Sequence, residues 1–305
     1  MSFSFFFCVI YFHNSGMKKR SLLHNIFGDK KADKALERRL ARLERHQQMI
    51  LRLLQREAFK DAGVLAPGFA TTGLSVHSMQ GEDGHILHIL REIGVTNRQF
   101  VEIGIQNGME CNTANLTFNF GWGGVLIEGN PEDAALAQRN YVCFPHVTVK
   151  QAFVTKENVA ELLKETNADP HADLFSLDID GNDYWIWEAL ADFRPRIIVV
   201  EYNAAFGLER AVTIPYKPDF CCGREHSRLY YGASLAAFVK LAHHEGYVLV
   251  GCADMGPNAF FVRQDVMKGN LKETTVKDAY RAIHLKRYTQ HDADAVNRME
   301  LVEVG

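Results

Sequence analysis

The stretch Phe100-Val101-Glu102-Ile103-Gly104-Ile105-Gln106-Asn107-Gly108 constrains this chain more than any other. A short apolar run that ends in an acid and enters a glycine-bearing turn predicts a strand, a sharp loop and then a helix. A second acid, Glu128, closes the next apolar run, Val125-Leu126-Ile127, roughly 20 residues on, the spacing of a nucleotide-binding α/β unit. Glycine lets the backbone turn sharply and approach a ligand, because no Cβ blocks a positive φ. A carboxylate at the second strand's tip can accept hydrogen bonds from both hydroxyls of a ribose. The loop is not GxGxxG and offers few amides to a pyrophosphate. That favours a cofactor with adenosine but no diphosphate, and S-adenosylmethionine fits best.

The rest of the chain sets the frame. At 305 residues one large domain, or one domain plus an extension, is expected. A net charge of -3 gives no global electrostatic case for nucleic acid or an anionic membrane as partner. The six cysteines (Cys8, Cys111, Cys143, Cys221, Cys222 and Cys252) show no disulfide-framework spacing, so a reducing, cytoplasmic setting is expected. Ser2 to Phe12 is nearly all apolar, but about 11 residues fall short of the ~20 that a spanning helix needs. No basic residue precedes that run and no small-residue cleavage site follows it, so no stable membrane span or signal peptide is expected. Met17-Lys18-Lys19-Arg20 reads as a second start, and residues 1–30 as an extension without regular structure.

Residues 31–62 predict a charge-rich amphipathic or coiled-coil helix. Leu36, Leu40, Leu43, Ile50 and Leu54 form a heptad seam in which Gln47 fills one position. Two readings fit it: self-association into a homo-oligomer through residues 36–54, or packing of the stripe on the main domain. Gly63 to Gly73, with Pro67-Gly68 at its centre, reads as a linker.

Over residues 75–265 strands and helices alternate. Strands are predicted at Phe100–Ile103, Val125–Glu128, His146–Lys150, Leu174–Asp178 and Arg196–Glu201, with helices near 110–118, 131–140, 156–165 and 184–190 between them. An insert over 203–231 precedes a helix near 234–245 that Gly246 stops. Two last strands, Tyr247–Val250 and Ala259–Val262, are joined by a loop too short for a crossover helix, which makes them an antiparallel hairpin. Residues 266–305 read as a helical tail. The expected fold is α/β: a doubly wound, mostly parallel seven-stranded sheet with a terminal antiparallel hairpin, and an N-terminal helical extension.

Three runs, Gln80-Gly81-Glu82-Asp83, Phe100-Val101-Glu102-Ile103-Gly104 and Ile127-Glu128-Gly129-Asn130-Pro131, together with Asp178-Ile179-Asp180-Gly181-Asn182-Asp183, resemble the FkbM-like group of class I S-adenosylmethionine-dependent methyltransferases. The resemblance covers roughly residues 78–263 and implies that group's Rossmann-like fold and cofactor. One departure is plain: the first loop, Gly104-Ile105-Gln106-Asn107-Gly108, lacks the middle glycine usual in such enzymes. Carried over by motif, Glu102, Gly104 and Gly108 would line the methionine and ribose side of the cofactor, and Glu128 would bind the ribose. Gln151, Ala152 and Phe153 would flank adenine, and Asp178 would face the amino group or the reacting centre.

Asp178, Asp180 and Asp183 lie within one strand-to-helix turn, with Glu201 and Asn203 at the tip of the next strand. Neighbouring tips of a parallel sheet share an edge, so Asp178, Asp180, Glu201 and Asn203 form a candidate oxygen-only site for Mg2+ or Ca2+. The competing reading makes Asp180 or Asp183 a helix cap. Without a metal, Asp178 is a candidate general base, as is His226 in the insert. His243-His244, late in a helix, reads as a surface feature that suits the helix dipole. Cys221-Cys222 lacks CxxC spacing and a second pair, and is not read as a metal site.

Tyr184, Trp185 and Trp187 suit a helix buried on the sheet. The aromatic insert, with Tyr202, Phe206, Tyr216, Phe220, Tyr230 and Tyr231, reads as a lid that stacks on a sugar ring. Its Lys217, Arg224 and Arg228 could bind an anionic group on the acceptor.

The expected activity is transfer of a methyl group from S-adenosylmethionine to a hydroxyl of a sugar or glycan-type acceptor, with a divalent metal such as Mg2+ at the acidic cluster as an open question. Two rivals stand beside it. One is a catalytically inactive, methyltransferase-like scaffold acting through the Leu36–Leu54 helix; the other is a nicotinamide-dependent oxidoreductase, disfavoured by the missing glycine run.

Overall fold

The computed structural model describes residues 72–305, apart from 224–226, 254–255 and 283–287. The expected extension 1–30, the helix 31–62 with its seam 36–54, and His226 and Arg224 therefore lie outside the described residues. Among those residues no helix is long and apolar enough to cross a membrane.

The chain alternates as its apolar runs predict: α1 (Glu82–Ile93), β1 (Gln99–Ile103), α2 (Ala114–Phe120), β2 (Gly123–Glu128), α3 (Pro131–Asn140), β3 (Val147–Gln151), α4 (Val159–Glu165), β4 (Leu174–Leu177), α5 (Asp183–Glu188) and β5 (Ile197–Glu201). After β6 (Val212–Thr213) come α6 (Leu235–His244), β7 (Tyr247–Cys252), β8 (Asn258–Arg263), α7 (Val276–Ala279), α8 (Gln290–Val296) and β9 (Val302–Glu303). One seven-stranded sheet forms in the order β3-β2-β1-β4-β5-β8-β7. β1 to β5 pair in parallel, while β8 runs antiparallel to both β5 and β7. This is the doubly wound, class I methyltransferase-like arrangement expected, with its terminal hairpin.

Alternation along each strand divides the core. Phe100, Leu126, Leu174, Ile197, Val199 and Phe260 pack with α1, α2 and α3 on one face. Val101, Ile127, Phe175, Ile198, Val200 and Phe261 pack with α4, α5 and α6 on the other. Each such side chain removed from water contributes about 1.5–3 kcal/mol, so the two layers hold the sheet rigid beneath its loops. Trp187 stacks on Phe238 with ring centres 6.0 Å apart, consistent with a buried α5.

Two boundaries differ from expectation. The helix expected from residue 110 begins at Ala114, because the carboxylate of Glu102 accepts from the Asn112 and Thr113 amides (both 2.8 Å) and holds the preceding turn. The tail is not only helical. Its last strand, β9, pairs antiparallel with β6 of the insert. A third apolar cluster, with Phe206, Val212, Ile214, Leu229, Tyr230 and Val296, joins insert and tail.

Candidate functional site

Strand register lines up the acids. Ile103 pairs with Ile127 and with Leu177, and Leu177 pairs with Val200. One step further along, Glu128, Gly104, Asp178 and Glu201 therefore form a single row across the C-terminal edge of the sheet. Neighbouring positions in such a row are about 4.8 Å apart. Gly104 is the gap between two acid-bearing tips.

That glycine is required by the backbone. Its φ is 85°, and a Cβ there would lie 1.6 Å from the carbonyl oxygen of Asp178. Gly108, with φ 73°, sits against Tyr141, whose hydroxyl donates to the Gly108 carbonyl at 2.7 Å. Between them Gln106 stands where the middle glycine is missing, and it too is left-handed, with φ 52°. In this conformation the Gln106 amide donates to Glu128 Oε2 at 2.6 Å. The loop keeps a glycine-like path without the glycine.

Glu128 accepts a second backbone bond at Oε1, from the Asn130 amide at 2.8 Å, and the residue is buried. Each carboxylate oxygen carries two lone pairs, so each can still accept one hydroxyl. Asn130 in turn caps α3, accepting from the Glu132 and Asp133 amides. Beyond β3, the Ala152 amide donates to the Glu128 carbonyl at 2.9 Å, and the Gln151 side chain donates to the Gly129 carbonyl at 3.2 Å. Phe153 is 51% exposed and lies beside Gly129, an aromatic face open at this edge. Gly104, Gly108, Glu128, Gln151, Ala152 and Phe153 are thus gathered on one side of the edge.

Glu102 is put to a different use from the one its motif implies. Its buried carboxylate accepts from the amides of Asn112 and Thr113 and from Thr113 Oγ1 at 2.6 Å. It braces the loop into α2. Burial raises its pKa, and these bonds oppose the rise.

Across Gly104 the acids meet each other instead of amides. Asp178, Asp180 and Glu201 each place a carboxylate oxygen within 4.8 Å of the others. Glu201 Oε2 is buried with no hydrogen-bond partner. Burial first, and then repulsion from the neighbouring carboxylates, pushes both Asp178 and Glu201 well above the usual carboxylate range. An orphaned oxygen beside two more carboxylates is a donor-poor site, suited to a cation or a proton.

Two expected members of this cluster have other tasks. Asp183 accepts from the Ile179 and Gly181 amides, both at 2.9 Å, and so braces the turn that carries Asp178 and Asp180. Its burial raises its pKa to about 6. Asn203, expected as a metal ligand, is fully engaged: its Oδ1 accepts from the Ala205 amide, and its Nδ2 donates to the carbonyls of Leu229 and Tyr231. It pins the insert to β5, which removes it from the ligand set.

The insert lies against the cluster. Phe220 packs on Gly181, where a Cβ would lie 2.7 Å from its ring, and the Gly232 amide donates to the Gly181 carbonyl at 2.9 Å. Lys156 sits 4.2 Å from the ring centre of Tyr216, whose hydroxyl donates to Glu157. His243 and His244 make surface pairs with Glu273 and Glu245. Sequence reasoning missed the Gln106 amide on Glu128. Glutamine in a left-handed position has no local signature, though the empty middle position of the glycine loop marked the place.

No protein-family model matches this chain, and no curated protein is similar to it. Solved structures to which it is similar include an O-methyltransferase from Bacillus cereus in complex with SAH, at 16% identity and a TM-score of 0.40, covering 62% of this chain and 82% of that one. A putative O-methyltransferase from Klebsiella pneumoniae matches at 14% identity and a TM-score of 0.40, over 62% of this chain and 84% of its own. The N-terminal domain of EvdMO1, in the presence of SAH and D-fucose, matches at 14% identity and a TM-score of 0.38, over 68% and 96%. At such scores the likeness is to part of a fold, and the chemistry of the site has to be argued from its own residues.

Proposed function

We propose that this chain transfers a methyl group from S-adenosylmethionine to a hydroxyl oxygen of a sugar or glycan-type acceptor. The observation that carries the reading is the row Glu128, Gly104, Asp178, Glu201: a carboxylate with lone pairs to offer, a side-chain-free gap, and a donor-poor acid pair. Glu128 would accept the two ribose hydroxyls, Gly104 and Gly108 would line the methionine and ribose side, and Gln151 to Phe153 would flank adenine. Bound there, the sulfonium supplies an electrophilic methyl carbon. Alignment of the acceptor and removal of its proton are then the protein's tasks.

Asp178 is the base in this reading, since a carboxyl pushed up in pKa is better matched to taking a proton near neutrality. The orphaned Glu201 oxygen and the all-oxygen set fit Mg2+, which Asp178, Asp180 and Glu201 would hold. Such an ion would lower the pKa of an acceptor hydroxyl. The aromatic insert, against Asp180-Gly181 through Phe220, supports a ring-shaped acceptor. A non-catalytic scaffold drew its support from the incomplete glycine loop, and the left-handed Gln106 weakens that ground.

Calorimetric titration with S-adenosylmethionine, S-adenosylhomocysteine and NAD, each with and without Mg2+, tests the proposal. Binding of the adenosylated pair alone is expected. Preference for NAD, or binding of none, would overturn it.

A further inference from the structure

Tyr231 is held in place by both acid-bearing tips. Its carbonyl accepts from Asn203 Nδ2 at 2.9 Å, just beyond Glu201 on β5. The next amide, Gly232, donates to the Gly181 carbonyl at 2.9 Å, just beyond Asp180 after β4. The residue is therefore fixed in the seam between the two carboxylate-bearing loops, and only 8% of it is exposed.

Its hydroxyl stands out among the buried tyrosines. Tyr202, Tyr230, Tyr247 and Tyr280 donate to the backbone carbonyls of Arg281, Glu300, Pro195 and Ala204 at 3.0, 2.7, 2.7 and 2.7 Å. Among the described residues the Tyr231 hydroxyl makes no such bond. A buried phenol left without a partner costs about 1–3 kcal/mol, so a fold that spends hydroxyls so consistently elsewhere has reason to leave this one available. Four carboxylates, those of Glu201, Asp180, Asp178 and Asp183, oppose its ionisation, after burial itself. It is a neutral donor beside acids.

We infer that the Tyr231 hydroxyl contacts the acceptor oxygen over the Asp178–Glu201 pair, as the hydrogen-bond donor that orients it for methyl transfer. The role rests on the methyltransferase reading above. As the acceptor O–H proton passes to the Asp178 carboxylate, an oxygen lone pair forms the O–CH3 bond. The S–CH3 bond breaks with its electron pair left on sulfur, and the phenol keeps its proton throughout. Donation from Tyr231 occupies one lone pair of the acceptor oxygen and so selects the other for attack.

The test compares the full-length wild type with Tyr231→Phe, and with fluorotyrosine incorporated at position 231. Labelled S-adenosylmethionine serves as donor, and catechol and methyl hexopyranosides as acceptor probes. Tyr231→Phe is expected to lower kcat about tenfold or more while S-adenosylhomocysteine binding and melting temperature hold. Fluorotyrosine, a stronger donor of the same shape, is expected to change kcat where a packing role would leave it fixed. Wild-type transfer with both variants unchanged would overturn the role of Tyr231 alone. Cofactor binding without transfer by the wild type to any probe would count against the methyltransferase reading and this inference together.

Discussion

The two sides of Gly104 use the same residue type in opposite ways. Toward β1 and β2, Glu102 and Glu128 are surrounded by donors: the amides of Asn112 and Thr113 on one, those of Gln106 and Asn130 on the other. Toward β4 and β5, Asp178, Asp180 and Glu201 face one another, and Glu201 Oε2 has no partner. A carboxylate that accepts amides stays ionised and becomes a fixed acceptor, good for binding hydroxyls. A carboxylate among carboxylates rises in pKa and becomes a place to put a proton or a cation. The lesson is that an acid at a strand tip acquires its chemistry from the loop across from it.

The harshest way to break this comparison is to remove the gap between the halves. Gly104→Ala places a Cβ at 1.6 Å from a backbone carbonyl that cannot swing aside, in a left-handed conformation besides. A loss of about 4 kcal/mol or more is expected, read by thermal unfolding followed by circular dichroism. An unchanged melting temperature would mean that the β1 and β4 loops do not cross as described.

Next in size is Asp178→Asn. Transfer should fall about 100- to 10,000-fold while S-adenosylmethionine binding persists, because only proton removal is lost. The same variant tests the electrostatics without any acceptor. Asp178 has a folded pKa raised above its unfolded one, so the folded state binds its proton more tightly, and wild-type stability falls as pH climbs above about 4 toward the folded value. Asparagine carries no such cost. The variant should therefore melt higher than wild type at pH 7 and converge with it near pH 4. A difference that did not vary with pH would remove the donor-poor half from the argument.

Glu128→Ala probes the other half. Loss of a charged acceptor for two hydroxyls should weaken S-adenosylmethionine about 10- to 100-fold by calorimetry, from about 1.5–3 kcal/mol per bond. Equal affinity would leave Glu128 as a brace between Gln106 and Asn130 and nothing more.

Much of this was legible in the sequence, and the part that was not has a physical reason. The sheet could be read because its strands are buried on both faces, which leaves continuous apolar runs such as Ile197 to Val200 between turn residues. The acids at the tips could be read because each run ends on one. What each acid does depends on partners far away or on side-chain direction. Asp178 and Asp183 belong to one hexapeptide, yet one faces Glu201 and the other turns back on Ile179 and Gly181. Asn203 looked like a ligand until the carbonyls of Leu229 and Tyr231 claimed its amide. The β6–β9 pairing joins Val212 to Glu303, too distant for any local pattern to announce.

The smallest effect concerns the position where the loop departs from its relatives. A non-glycine residue in the left-handed region costs about 1–2 kcal/mol, and Gln106 bears that cost at φ 52° while its amide reaches Glu128. Gln106→Gly relieves the strain but gives the unfolded chain more freedom, worth about 0.4–1 kcal/mol in the other direction. The net change should lie between zero and about 1 kcal/mol of stabilisation in urea unfolding, with cofactor affinity unaltered. If the variant were instead destabilised, or bound S-adenosylmethionine more weakly, the exposed glutamine side chain would itself be part of the donor-rich half. The missing glycine would then be a binding device, since the backbone conformation alone is available to either residue.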